Sequence, residues 1–118
     1  MSLDVYLIDR QPACRGCGRP DTDTELFSAS ITHNLGQMAT EAGIYDAVWR
    51  PDEHGYTHAA HIIGVLAVGI AVMRAEPERF EVLSAKNGWG TYTQFLPWLN
   101  EYMLACERNP AALIVVAR

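Results

Sequence analysis

The amino-acid sequence predicts an α+β domain: a small antiparallel sheet of about three strands, at residues 3–8, 25–31 and 112–117, with three to four helices packed on one face. Three observations predict it. Leu3, Val5 and Leu7 alternate with their neighbours, as a half-buried strand requires, and the segments ELFSASI (25–31) and ALIVVA (112–117) have strand-like composition. Between the second and third of these segments, the apolar residues recur at helical spacing. The chain has 118 residues, of which 49 % are hydrophobic and 19 % charged, enough for one core without disulfides. Residues 1–118 are therefore expected to form a single globular domain.

Taken in order, the first strand (3–8) is followed by a loop over residues 9–24, rich in proline, glycine and aspartate. A loop of that length needs something to organise it, and Cys14-Arg15-Gly16-Cys17-Gly18 is the candidate. The second strand returns antiparallel to the first, so the cysteines sit at the tip of a hairpin. Leu35, Met38, Ala39 and Ala42 then form a helical stripe, with Asn34 and Gln37 spaced as a capping box and Gly43 as its stop. Residues 44–49 are a further helical turn or an extended connector, broken at Pro51. Thr57 is read as the cap of a helix running to about Ala75, apolar nearly all round and so central. Pro77 opens a short helix. Thr91 and Gln94 form a capping box for the last helix, to about Cys106, with Phe95, Leu99, Tyr102 or Met103, and Cys106 facing the core; Pro97 should kink it or delay its start.

Composition excludes several function classes. A net charge of −5 with a single lysine, Lys86, argues against nucleic acid and against an anionic membrane surface. The longest apolar run, residues 62–73, is shorter than the ~20 residues of a membrane span. The opening segment MSLDVYLI lacks the basic and long apolar stretches of an export leader, and three cysteines are an odd number. A cytoplasmic, reducing location is the expectation, in which a close cysteine pair is a metal or redox element.

The motifs ITHNLGQM (31–38) and NGWGTY (87–92) resemble a widespread family of small bacterial and phage proteins without an established function. The opening SLDVYL, the Cys-x-x-Cys-Gly and the stretch from Ile44-Tyr45 to Trp49-Arg50-Pro51 fit the same pattern, so the resemblance covers nearly the whole chain. It implies membership and no activity. Two departures stand out: Pro97 within the last helix, and Ile63, Gly64, Val65, Val68 and Val72 where the middle helix usually carries charge. The second implies additional hidden surface, as in a homodimer.

Three constellations could carry chemistry. Cys14 and Cys17, with His58 and His61, offer two thiolates and two imidazoles for zinc, the one cofactor the sequence brings forward. His58 and His61, three residues apart, could alternatively serve a metal-dependent hydrolase with Asp52 or Glu53 as base. His33 and Asn34, with Asn87, Trp89, Thr91 and Tyr92, could form a polar edge around an exposed indole and bind a small ligand or a partner protein. Nucleophile motifs, a glycine-rich phosphate loop and paired carboxylates are absent from the sequence. The reading that follows is a non-catalytic ligand- or protein-binding module; a metal-dependent hydrolase and a structural homo-oligomer built on the middle helix are the alternatives.

Overall fold

The computed structural model describes residues 2–11, 13, 15–18, 20 and 22–118. Its sheet has three antiparallel strands, β1 (Ser2–Gln11), β2 (Thr22–Thr32) and β3 (Leu113–Ala117), in the order β2-β1-β3. The period-2 alternation of β1 turns Leu3, Val5 and Leu7 to one face, where each is fully buried. Register carries that face across the sheet: Leu3, Val5 and Leu7 lie opposite Ile31, Ala29 and Phe27 of β2, and Val5 and Leu7 opposite Val116 and Ile114 of β3. On the other face Asp4 lies opposite Ser30, whose hydroxyl donates to the Asp4 carboxylate.

The expected 9–24 loop is corrected. β1 continues to Gln11 and β2 begins at Thr22, so both ends of that segment, residues 9–11 and 22–24, are paired strand, clamped by an Arg10–Asp23 ion pair at 2.9 Å. Both faces of the hairpin meet solvent there, so the apolar alternation that reveals a strand is missing. A bulge between Leu7 and Ile8 leaves Leu26 without an opposite residue. The hairpin projects past the helices: the longest dimension is 58 Å and the radius of gyration 15.7 Å, against about 13.5 Å for a compact chain of this length.

The five α-helices form the second layer, against the Leu3–Val5–Leu7 face. Thr32 Oγ1 accepts from Asn34 N at 3.3 Å and starts a 3-10 turn (His33–Leu35) that leads into α1 (Gly36–Glu41). Thr32, and not the expected Asn34–Gln37 pair, is the cap. Gly43, at φ 78°, reverses the chain into α2 (Tyr45–Trp49). Thr57 is not a helix cap either. Its carbonyl accepts from Ile114 N (3.0 Å) and Ala59 N donates to the Ala112 carbonyl (2.9 Å), so residues 57–59 cover the start of the outer edge of β3. A 3-10 turn (Ala59–His61) follows, then α3 (Ile63–Ala75) and α4 (Pro77–Glu81), with Pro77 in the first turn as expected. α5 (Tyr92–Arg108) carries the Thr91–Gln94 capping box. It starts on time despite Pro97, because the box satisfies its first donors.

The expected all-round burial of the middle helix is also corrected. Leu66, Gly69, Ile70 and Met73 face inward, while Gly64, Ala67, Val68 and Ala71 face solvent, Val68 at 65 % exposure. α3 therefore lies at the outside of the layer. A Cβ at Gly69 would overlap Ile44 Cγ2, so glycine is what lets the α1–α2 connection approach α3. The expected α5 stripe is found: Phe95, Leu99, Tyr102 and Cys106 are fully buried. Burial pushes the Cys106 thiol up to about 12, with the nearby Glu107 carboxylate adding to it. Among the described residues, no helix is long and apolar enough to cross a membrane.

Candidate functional site

The two motif segments ITHNL and NGWG meet in space. Asn34 Nδ2 donates to the Trp89 carbonyl at 2.9 Å, across 55 residues of sequence. Trp89 N donates to Asn87 Oδ1 at 3.0 Å. Gly88 N donates to the Ala85 carbonyl (3.1 Å) and Ala85 N to the Gly90 carbonyl (2.9 Å). Both glycines adopt positive φ, 79° and 109°, which side chains with a Cβ disfavour. A Cβ on Gly90 would also approach Thr32 Cγ2 to 3.0 Å and Leu35 Cγ to 3.2 Å. The backbone around Trp89 is thus pinned from both sides, and the indole is turned outward at 72 % exposure.

Beneath the indole lies an open cavity of about 350 Å³, lined by Ser30, Ile31 and Thr32 of β2, residues 88–90 of the loop and Gln94 of α5. A second cavity of about 350 Å³ continues it across the strand to Ser2. The lining carries hydroxyls, an amide, an isoleucine and an indole, and no side chain that titrates near neutrality. A third cavity, about 330 Å³, lies further along the same flank between Phe27 of β2 and Glu101, Leu104 and Arg108 of α5. All three border β2.

Of the sequence-predicted ligand residues, Trp89 is the one whose side chain lines these cavities. The polar atoms of the others hold the fold. His33 Nδ1 accepts from the indole N–H of the buried Trp49 at 2.9 Å, which leaves the His33 proton on Nε2. Asn34 and Asn87 fix the Trp89 backbone. Thr91 Oγ1 accepts from Gln94 N, and Gln94 Oε1 accepts from the Gly90 and Thr91 N–H groups. Tyr92 is buried and its hydroxyl donates to the Met73 carbonyl at 2.9 Å. Ser30, Ile31, Thr32 and Gln94 were not named as ligand residues from the sequence; the signal that points to them is the pairing of the two motifs, since the residues beside Asn34 must then lie beside Trp89.

The metal candidates lie elsewhere. Cys14 is outside the described residues, and Cys17 is exposed in the hairpin turn. His58 and His61 do come together, with ring centroids 5.5 Å apart. Their Nδ1 atoms face inward: His61 Nδ1 accepts from Thr57 N and His58 N, and His58 Nδ1 shares a hydrogen bond with Thr57 Oγ1. Among the described residues, no three histidine, cysteine, aspartate or glutamate side chains gather into a metal-holding group.

Comparison of the chain with protein-family models, with curated proteins and with solved structures gives no match.

Proposed function

We propose that this protein is a non-catalytic binding module whose recognition surface is the cavity under Trp89, beside edge strand β2. The observation that carries the reading is an indole held in solvent by a rigid loop, over a concave surface. An indole left in water forgoes the burial that stabilises most tryptophans, and tryptophan at the rim of a pocket is the residue type that most often dominates binding energy. The cavity volume lies at the small end of ligand pockets. Ser30, Thr32 and Gln94 supply hydrogen-bonding groups to orient an occupant, and the lining residues themselves include no acid, base or thiol to transform it.

The test is NMR mapping of a set of small aromatic compounds and short extended peptides on the labelled protein. Shift changes are expected on residues 30–32, 88–90 and 94. Trp89→Ala should fold normally, because its side chain is exposed, and should weaken binding by about 2 kcal/mol, roughly 30-fold. Unchanged affinity in that variant, or binding confined to another surface, overturns the reading.

A further inference from the structure

The two edges of the sheet are treated differently. Residues 57–59 cover the start of the outer edge of β3, at residues 112–114, whereas among the described residues β2 has a hydrogen-bonded neighbour on one side only. Every second residue of an edge strand turns its N–H and C=O groups outward, and exposed edges are normally guarded by lysine, proline or inward charge. β2 contains none of these between Leu26 and Thr32. Its inward row is also unfinished: Phe27, Ala29 and Ile31 are half-buried, while the matching residues of β1 are fully buried. The apolar core thus runs out to the edge and stops.

From this we infer that β2 pairs with β2 of a second copy of this chain, antiparallel about a two-fold axis at Ala29. The inference rests on the reading of the Trp89 flank as a binding surface and names its partner. The strand is complementary to itself in that register. Phe27 meets the second copy's Ile31, Ser28 meets its Ser30, Ala29 meets its Ala29, and Leu26 meets its Thr32. Asp23 and Glu25, the two charged residues of β2, fall beyond the end of the partner strand, so no carboxylate faces a carboxylate. That matters for two chains that each carry −5. Trp89, beside residues 30–32, then stands over the second copy's Leu26, which is 43 % exposed in the single chain. Two exposed apolar side chains cover one another, and the cavity gains a wall from the partner.

The experiment combines sedimentation across a concentration series with single-cysteine cross-linking, in chains with Cys14 and Cys17 changed to serine. A reversible dimer is expected below about 1 mM protein. Ala29→Cys, on the axis, should oxidise to a covalent dimer, while Thr24→Cys, outside the paired window, should not. Amides of β2 should exchange more slowly as protein concentration rises. Cross-linking through Val68→Cys on α3, with none through Ala29→Cys, overturns the proposal in favour of an α3 interface. A protein that stays monomeric at about 1 mM also overturns it. If such a monomer still shows probe shifts at residues 88–90, the binding reading survives alone; if it shows none, both fail.

Discussion

Replacing Gly64 and Gly69 by alanine, one at a time, separates two reasons for glycine in α3. At Gly64 a Cβ would meet nothing within 4 Å, and the backbone is helical. Alanine there should stabilise the fold by about 0.5 kcal/mol, the lower end of the helix-propensity gain. At Gly69, in the middle of the helix, the propensity gain is about 1 kcal/mol, but the new methyl would overlap Ile44 Cγ2 and sit 3.4 Å from the Ala42 carbonyl oxygen. Ile44 is fully buried, and the atom in the way is on its branch point, so it cannot swing aside without repacking. Overpacking of this kind costs about 1–3 kcal/mol. The overlap is with a fully buried side chain, which places the cost in the upper part of that range, about 2–3 kcal/mol, and the net expectation is a loss of about 1–2 kcal/mol at Gly69. For 118 residues the unfolding entropy makes 1 kcal/mol worth roughly 4 °C in Tm. Thermal melts followed by circular dichroism should then give a rise of about 2 °C for Gly64→Ala and a fall of about 4–8 °C for Gly69→Ala. In an Ile44→Ala background, Gly69→Ala should become neutral or favourable. If Gly69→Ala raises Tm in the native background as Gly64→Ala does, the close approach of the α1–α2 connection to α3 is wrong.

Three further outcomes are expected. Gly90→Ala should lower the denaturant midpoint by the equivalent of about 1–3 kcal/mol, since φ 109° is hostile to a Cβ and Thr32 crowds it; an unchanged midpoint would mean the loop can relax. The Arg118 guanidinium bonds Asp52 and holds its carboxyl below the usual range. A depressed carboxyl stabilises the fold above its unfolded value of about 3.9 and ceases to do so as pH falls through the lower folded value. The stability difference between the native chain and Arg118→Gln should therefore be constant from pH 7 to pH 5 and shrink on acidification below about pH 4, towards the part owed to the Arg118 bond to the Trp49 carbonyl; a difference that does not shrink contradicts the ion pair. Finally, an alkylating reagent at mild alkaline pH should modify the exposed Cys17 promptly and Cys106 only after unfolding, because burial removes access and keeps its thiol protonated. Mass spectrometry of the native protein showing rapid Cys106 modification would refute this.

Much of the architecture was legible because it rests on local chemistry. The apolar alternation of Leu3, Val5 and Leu7, the Thr91–Gln94 box and Pro77 each act within a few residues of themselves. What the sequence misplaced was decided by distant partners. Thr57 looks like a cap, yet its carbonyl is claimed by Ile114, 57 residues on. α3 looks buried all round because its solvent face is made of glycine, alanine and valine, which periodicity cannot distinguish from core. His33 and Asn34 were named as ligand residues, but the hydrogen bonds they make are within the fold: one accepts from the Trp49 indole and the other anchors the Trp89 loop. Only the fold reveals that the loop Asn34 braces leaves its indole in water.

The irregularity between Leu7 and Ile8 divides the hairpin into two mechanically separate parts. On the core side, β1 is bonded on both flanks, and a slip of one residue would turn Leu3, Val5 and Leu7 into solvent at about 1.5–3 kcal/mol each, comparable to the whole stability of a domain. Beyond the unmatched Leu26 the penalty is small, because residues 9–11 and 22–25 bury no apolar side chain and the Arg10–Asp23 ion pair between them is exposed. The outer hairpin can lengthen, shorten or change its tip residues while the registration of the core stays locked, so the cysteine-bearing turn is free to diversify without endangering the domain that carries it.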